Sequence, residues 1–94
     1  MELTFEWDEE KSKRNVRKHG VTFEEAKTVF NDPFAITITD PDHSREEERF
    51  LDIGLSSRER LLVVWYTERE EKIRIIGCRR ATPFERKTYE EKEE

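Results

Sequence analysis

Two adjacent arginines, Arg79 and Arg80, stand just before a segment in which Thr82 suits a helix N-cap, Pro83 the first helical position and Glu85 a capping-box acid. Arginines that end a strand at a helix start sit beside free backbone N–H groups that favour anions, and guanidinium forks fit phosphate oxygens bidentately. Arg79 and Arg80 are therefore the foremost candidates for contacts to a phosphate and to charge developing on it. In the helix that follows, Glu85 and Tyr89 are four residues apart and share a face, so a carboxylate and a phenol could stand beside the same phosphate. Capping of Thr82 and packing of an aromatic ring account for these two residues as well. His19 carries the side-chain type best suited to proton exchange at neutral pH, although a histidine closing a helix also serves the helix dipole.

No metal is implied. His19 and His43 are the only histidines, a helix and a strand separate them, and no clustered carboxylates flank either one. The single Cys78 excludes an internal disulfide and a cysteine zinc site, and it fits a reducing cytoplasm. With 94 residues the chain has room for one core and one domain, which excludes most cofactor enzymes, and no cofactor is expected.

Charge sharpens the picture. The formal net charge of −5 would by itself discourage a nucleic-acid role. It conceals segregation: residues 11–19 carry Lys11, Lys13, Arg14, Arg17 and Lys18 with no acid, and residues 72–89 carry six cations against Glu85 alone. Each stretch is +5 and the rest of the chain is −15, a pattern of local anion sites on an acidic body. Lys11, Arg14 and Lys18 form one outward stripe of the first helix, a candidate track for a polyanion backbone or simply a solvated face. Arg74 and Arg86 extend the second basic stretch. Charged residues are 44% and hydrophobic ones 33%, but the ten aromatic residues lie in patterned segments, which argues for a small folded core rather than disorder. No apolar run reaches membrane-spanning length, so no membrane partner is expected.

These residues need elements to position them. Leu3, Phe5 and Trp7 alternate as a short strand; Asp8 caps a helix over 9–19, with acids in its first turn, bases in its last and Gly20 at the C-cap. Thr22 and Glu25 predict a capping box for a second helix, stapled by Val21 and Ala26 and stopped at Asn31-Asp32-Pro33. Strands are predicted at 34–39, 51–55, 61–66 and 73–77, the third covered on both faces, with a loop over 40–44 and hairpins at 56–60 and 68–71. Simple alternation along the last strand places Arg80 on the face of Arg74 and Arg79 on that of Ile73 and Ile75. The order β-α-α-β-β-β-β-α predicts an α+β domain, an antiparallel sheet with helices packed on one face, and fraying at the acidic end 90–94. Trp7, Trp65 and Tyr66 could stack a base, but the apolar strand bearing the last two points them to opposite faces, which makes one or both of them core.

The residues also resemble a family. Phe5-Glu6-Trp7-Asp8, Arg17 to Ala26, Val29 to Pro33, Asp42-His43-Ser44, Glu47 to Phe50, Ile53-Gly54, Leu61 to Val64, Tyr66-Thr67-Glu68, Ile73 to Ile76 and Arg79 to Thr82 with Glu85, Arg86 and Tyr89 follow the order of the BrnT family of bacterial toxins. The resemblance covers nearly the whole chain. It departs at Gly77, where members often have serine, and at Glu68-Arg69-Glu70-Glu71, which lacks the glycine commonly found in that turn. The family implies a RelE-like fold, a ribonuclease toxin of a type II toxin–antitoxin pair, and a cognate BrnA-type antitoxin through which operator DNA is bound.

A metal-free ribonuclease needs a base for the 2′-hydroxyl, cations for the charge on the phosphorane and an acid for the leaving 5′-oxygen. Under that reading Arg79, Arg80, Glu85, Tyr89 and His19 are the catalytic candidates, and Lys11, Arg14, Lys18, Arg74 and Arg86 the RNA-binding ones. His43, in an Asp-rich loop near Glu48 and Arg49, is a loop hydrogen-bonder or a further candidate. The alternative is an inactive RNA- or antitoxin-binding regulatory partner.

Overall fold

The computed structural model describes residues 3–40 and 47–92, so the expected loop with His43 lies outside the described residues. The elements follow the predicted order: β1 (Thr4–Glu6), α1 (Glu9–His19), α2 (Phe23–Lys27) with a 3-10 turn (Thr28–Asn31), β2 (Ile36–Thr39), β3 (Arg49–Leu55), β4 (Leu61–Arg69), β5 (Lys72–Arg80) and α3 (Pro83–Lys92).

The five strands form one sheet in the order β1-β5-β4-β3-β2. Four are antiparallel, but β1 runs parallel to β5, pairing Phe5 with Ile73, so the sheet is mixed and not the antiparallel sheet predicted. A three-residue strand with no turn joining it to a neighbour leaves its direction to tertiary packing. Phe5 meets Phe30 edge-on at 5.2 Å, and Phe30 in turn meets Tyr66 at 4.9 Å, which fixes β1 against the main core.

A second correction concerns the layers. The larger core joins Val21, Phe23, Ala26 and Val29 to Leu62, Val64, Tyr66, Ile73, Ile75 and Cys78 on one face of the sheet. The smaller core joins Tyr89 of α3 to Ile53, Leu61 and Val63 on the other. Helices therefore occupy both faces, because β4 is apolar on both: Leu62, Val64 and Tyr66 point one way, Leu61 and Val63 the other.

Local signals set the helix ends. Asp8 accepts from the N–H groups of Glu10 and Lys11 at 2.8 and 3.2 Å, and Gly20 closes α1 at φ 70°, the left-handed cap the sequence predicted. No residue of α1 is buried. It is held instead by Asn15, whose Oδ1 accepts from the Cys78 N–H at 3.2 Å and whose Nδ2 donates to the Val21 carbonyl at 2.9 Å. Asn15 thus caps part of the β5 edge that β1 leaves unpaired.

The predicted box at Thr22 forms only in half. Thr22 Oγ1 accepts from the Glu25 N–H at 3.0 Å, but the Glu25 carboxylate turns away to Arg60 and to Ser56, whose hydroxyl donates at 2.7 Å. Glu25 is only 5% exposed, and a carboxylate so buried needs a cation more than it needs a backbone donor. At Gly54 an added Cβ would lie 2.8 Å from Val29 Cγ1, so glycine is what lets the 3-10 turn press onto β3.

Candidate active site at the strand-to-helix junction

β5 carries an irregularity that decides where the arginines point. Tyr66 pairs with Ile75 and Trp65 with Gly77, which leaves Ile76 as an extra residue. The extra residue shifts the alternation, so Ile73, Ile75 and Cys78 share the larger core while Arg79 pairs with Val63 on the opposite face. Arg79 therefore lies on the face of Arg74, and Arg80, opposite Leu62, on that of Ile73 and Ile75. Simple alternation gave the reverse, since it cannot see a bulge.

On its face Arg79 is closely held. Its guanidinium donates to both Glu85 carboxylate oxygens at 2.8 and 2.9 Å and stands 5.0 Å from the centre of the Trp65 ring. Glu85 also accepts from the Thr82 N–H at 2.8 Å, while Thr82 Oγ1 accepts from the Glu85 N–H at 3.2 Å. The capping box is complete here, and the same carboxylate orients Arg79. The Arg79 guanidinium holds the Glu85 carboxyl below the usual carboxylate range, against the opposing effect of burial. Such a carboxylate is a weak base and a strong anchor.

Tyr89 lies one turn further along and is 7% exposed. Its hydroxyl donates to Asp32 Oδ2 at 2.6 Å, and Asp32 also accepts from the N–H groups of Leu55 at 2.8 Å and Phe34 at 2.9 Å. Glu85 and Tyr89 thus share a helix face, as their spacing predicted, yet each is bound to a different partner. Burial pushes the Asp32 carboxyl up, but the donors from Leu55, Tyr89 and Phe34 outweigh it and leave the net shift downward.

The remaining candidates fall into a second group. Lys11, Arg14, Lys18 and His19 line one groove of about 360 Å³ together with Asn15 and Ile76. Asn15 and Ile76 were not singled out in the sequence, because one belongs to a helix interior and the other to an apolar strand. His19 is exposed in this groove rather than packed. Arg74 pairs with Glu6 at 3.3 Å, and Arg86 faces Glu90 at 4.0 Å on the exposed side of α3. Arg80 is exposed and makes no ion pair with a described residue.

Of the aromatic residues, Tyr66 is in the core, where its hydroxyl donates to buried Asp52 at 2.8 Å, and Trp7 packs edge-on against Phe23 at 6.0 Å. Trp65 is half-buried beneath Arg79. Burial pushes the Cys78 thiol up to about 12, which makes it an inert core group. Among the described residues no cluster of three or more His, Cys, Asp or Glu side chains is placed to hold a metal ion. No helix among them is long and apolar enough to cross a membrane.

Comparison with known proteins gives this arrangement a context. The sequence model described as the ribonuclease toxin BrnT of a type II toxin–antitoxin system matches residues 7–85. The chain belongs to the BrnT family. The BrnT match spans α1 through the Arg79-Glu85 junction, so it takes in the basic groove of α1 with Arg74, Arg79, Arg80 and Glu85, while Arg86 and Tyr89 lie beyond it. No curated protein sequence matches the chain. Among solved structures, the 1.1 Å crystal structure of the Brucella abortus ribonuclease toxin BrnT is similar at a TM-score of 0.63 and 20% identity, covering 86% of this chain and 99% of that one. The likeness establishes the fold, and the family places the chain among ribonuclease toxins that work with an antitoxin.

Proposed function

We propose that this chain is a metal-independent endoribonuclease of the cytoplasm, which cuts RNA by attack of a 2′-hydroxyl on the adjacent phosphate and so stops translation and growth. A BrnA-type antitoxin neutralises it, in a hetero-oligomer that reaches operator DNA only through the antitoxin. The observation that carries the reading is Arg79: a guanidinium oriented by a bidentate carboxylate over Trp65, at a strand end beside a helix start, within the stretch that matches the family.

In that mechanism Arg79 stabilises charge on the phosphorane, where a preoriented cation is worth more than a mobile one. Glu85 is a positioning residue that fixes the guanidinium plane. Arg80, on the opposite face of the sheet, is a separate cation for the RNA backbone rather than a second contact to the same phosphate. The Tyr89 hydroxyl and the Glu85 carboxylate are both engaged, which favours His19 for proton transfer.

Purified protein incubated with RNA in EDTA tests the proposal. Wild type is expected to cleave, and Arg79→Ala to cleave about 10- to 150-fold more slowly, the loss of about 1.5 to 3 kcal/mol expected for a hydrogen-bonded charge. Wild-type cleavage that EDTA abolishes, or Arg79→Ala at the wild-type rate, overturns it.

A further inference from the structure

The two groups of candidates meet at one residue. Gly77 pairs with Trp65 across the sheet, on the Arg79 face, and the nearest atom that a side chain there would meet, apart from its chain neighbours, is Oδ1 of Asn15, which lines the basic groove. An added Cβ at Gly77 would meet nothing closer than Asn15 Oδ1 at 3.9 Å. The backbone does not require glycine there either, since the positive φ angles fall at Gly20, Glu59, Glu70 and Glu71. A strand-interior glycine that neither its φ nor its packing demands lowers strand stability relative to alanine; it accompanies a bulge, here the extra residue Ile76 beside it, or a site where a ligand approaches closely. Gly54 makes the contrast, because a Cβ there collides with Val29.

Chemistry on the two sides is complementary. On one side the groove presents Lys11, Arg14, Lys18 and His19 along one face of α1, with Ile76 also lining it. On the other lie a half-buried indole and a guanidinium. Phosphates bind cations and unpaired bases stack on indole or guanidinium planes, the pairing that single-stranded RNA requires. β1 pairs only with Lys72, Ile73 and Arg74, so at Gly77 the β5 edge meets no strand, and the next residue, Cys78, is capped by Asn15 of α1.

We propose that single-stranded RNA crosses the edge of β5 over Gly77, with backbone phosphates in the α1 groove and the neighbouring nucleotide at Trp65 and Arg79. Gly77 is the saddle between the two, and the absence of a side chain there keeps the path open. The proposal rests on the ribonuclease reading for its choice of ligand.

A labelled single-stranded 2′-O-methyl oligonucleotide, which lacks the attacking hydroxyl, measures binding apart from cleavage by fluorescence anisotropy. Gly77→Leu is expected to weaken binding at least tenfold with an unchanged melting temperature, and Gly77→Ala less than threefold. In Lys11→Ala/Lys18→Ala the slope of log Kd against log salt should fall by about 1.4, at about 0.7 for each single-strand phosphate contact. In a Trp7→Phe background, RNA should quench the remaining Trp65 emission. Gly77→Leu binding within twofold of wild type overturns the path; should that variant fail to fold, an unchanged salt slope or unquenched Trp65 does so. Loss of antitoxin binding in Gly77→Leu with RNA binding intact also overturns it, in favour of a protein-facing edge. Wild type that binds the oligonucleotide and cleaves no RNA refutes the ribonuclease reading and leaves the path standing.

Discussion

Replacing Tyr89 with phenylalanine removes one oxygen and separates two roles for this residue. The ring packs in the smaller core with Ile53, Leu61 and Val63, and phenylalanine keeps that packing. What disappears is the 2.6 Å hydrogen bond to Asp32. Asp32 still accepts from the Leu55 and Phe34 N–H groups, so no charge is orphaned and the cost stays near that of one hydrogen bond to a charged group. That is about 1.5 to 2 kcal/mol at the lower end of its range. For a domain of this size it corresponds to a fall in Tm of roughly 6 to 16 °C. Thermal melting by circular dichroism at pH 7 reads the stability, and RNA cleavage at a temperature well below both transitions reads the chemistry. The expected result is a lower Tm with cleavage within about threefold of wild type, under 1 kcal/mol of barrier. A double-mutant cycle with Asp32→Ala should bring the effect of Tyr89→Phe on stability close to zero. An unchanged Tm together with lost cleavage would refute the reasoning and return the hydroxyl to the catalytic step.

Two further outcomes follow from the same contacts. Glu25 is held below its ordinary value of 4.5 first by the Arg60 hydrogen bond, against burial. A lowered folded-state pKa gives stability that is present above about pH 4.5 and lost as pH falls through the lower folded value, so urea unfolding from pH 6 to pH 3 should weaken more steeply in wild type than in Glu25→Gln. Parallel pH profiles for the two proteins would contradict this. At the β4-β5 turn, Glu70 and Glu71 both have positive φ, 51° and 68°, the geometry that favours Asn-Gly. Changing the pair to Asn-Gly should raise stability by about 1 to 2 kcal/mol in thermal melts, and no rise would show that these residues bear no strain.

The missing glycine in that turn illustrates how far local reading goes. The sequence shows a hairpin with an unfavourable turn, and the fold adopts the left-handed geometry regardless, because the flanking strands of β4 and β5 set the register from Arg69↔Lys72 onward. At Thr82-Glu85 the local signal is complete and the structure obeys it. At Thr22-Glu25 the same signal is half overruled, since Arg60 arrives from 35 residues away to take the carboxylate. Arg79 was legible as a candidate from its place before a capped helix, whereas its partner Trp65 read equally well as core. The direction of β1 and the far-face position of α3 were not legible, because neither is fixed by a neighbouring turn.

By itself the sequence determined the order of elements, both ends of α1, the start of α3 and the two basic stretches, which depend on residues close together in the chain, and the family, which depends on ordered blocks along it; α3 runs on to Lys92 where fraying from residue 90 was expected. Only the tertiary structure decided which face each arginine occupies, because a single extra residue at Ile76 inverts the alternation that follows it. It also decided the company each candidate keeps: Glu85 with Arg79, Tyr89 with Asp32, and His19 with the lysines of α1. Of these only Tyr89 with Asp32 joins distant parts of the chain, 57 residues apart, and there burial rather than local propensity selects the partner.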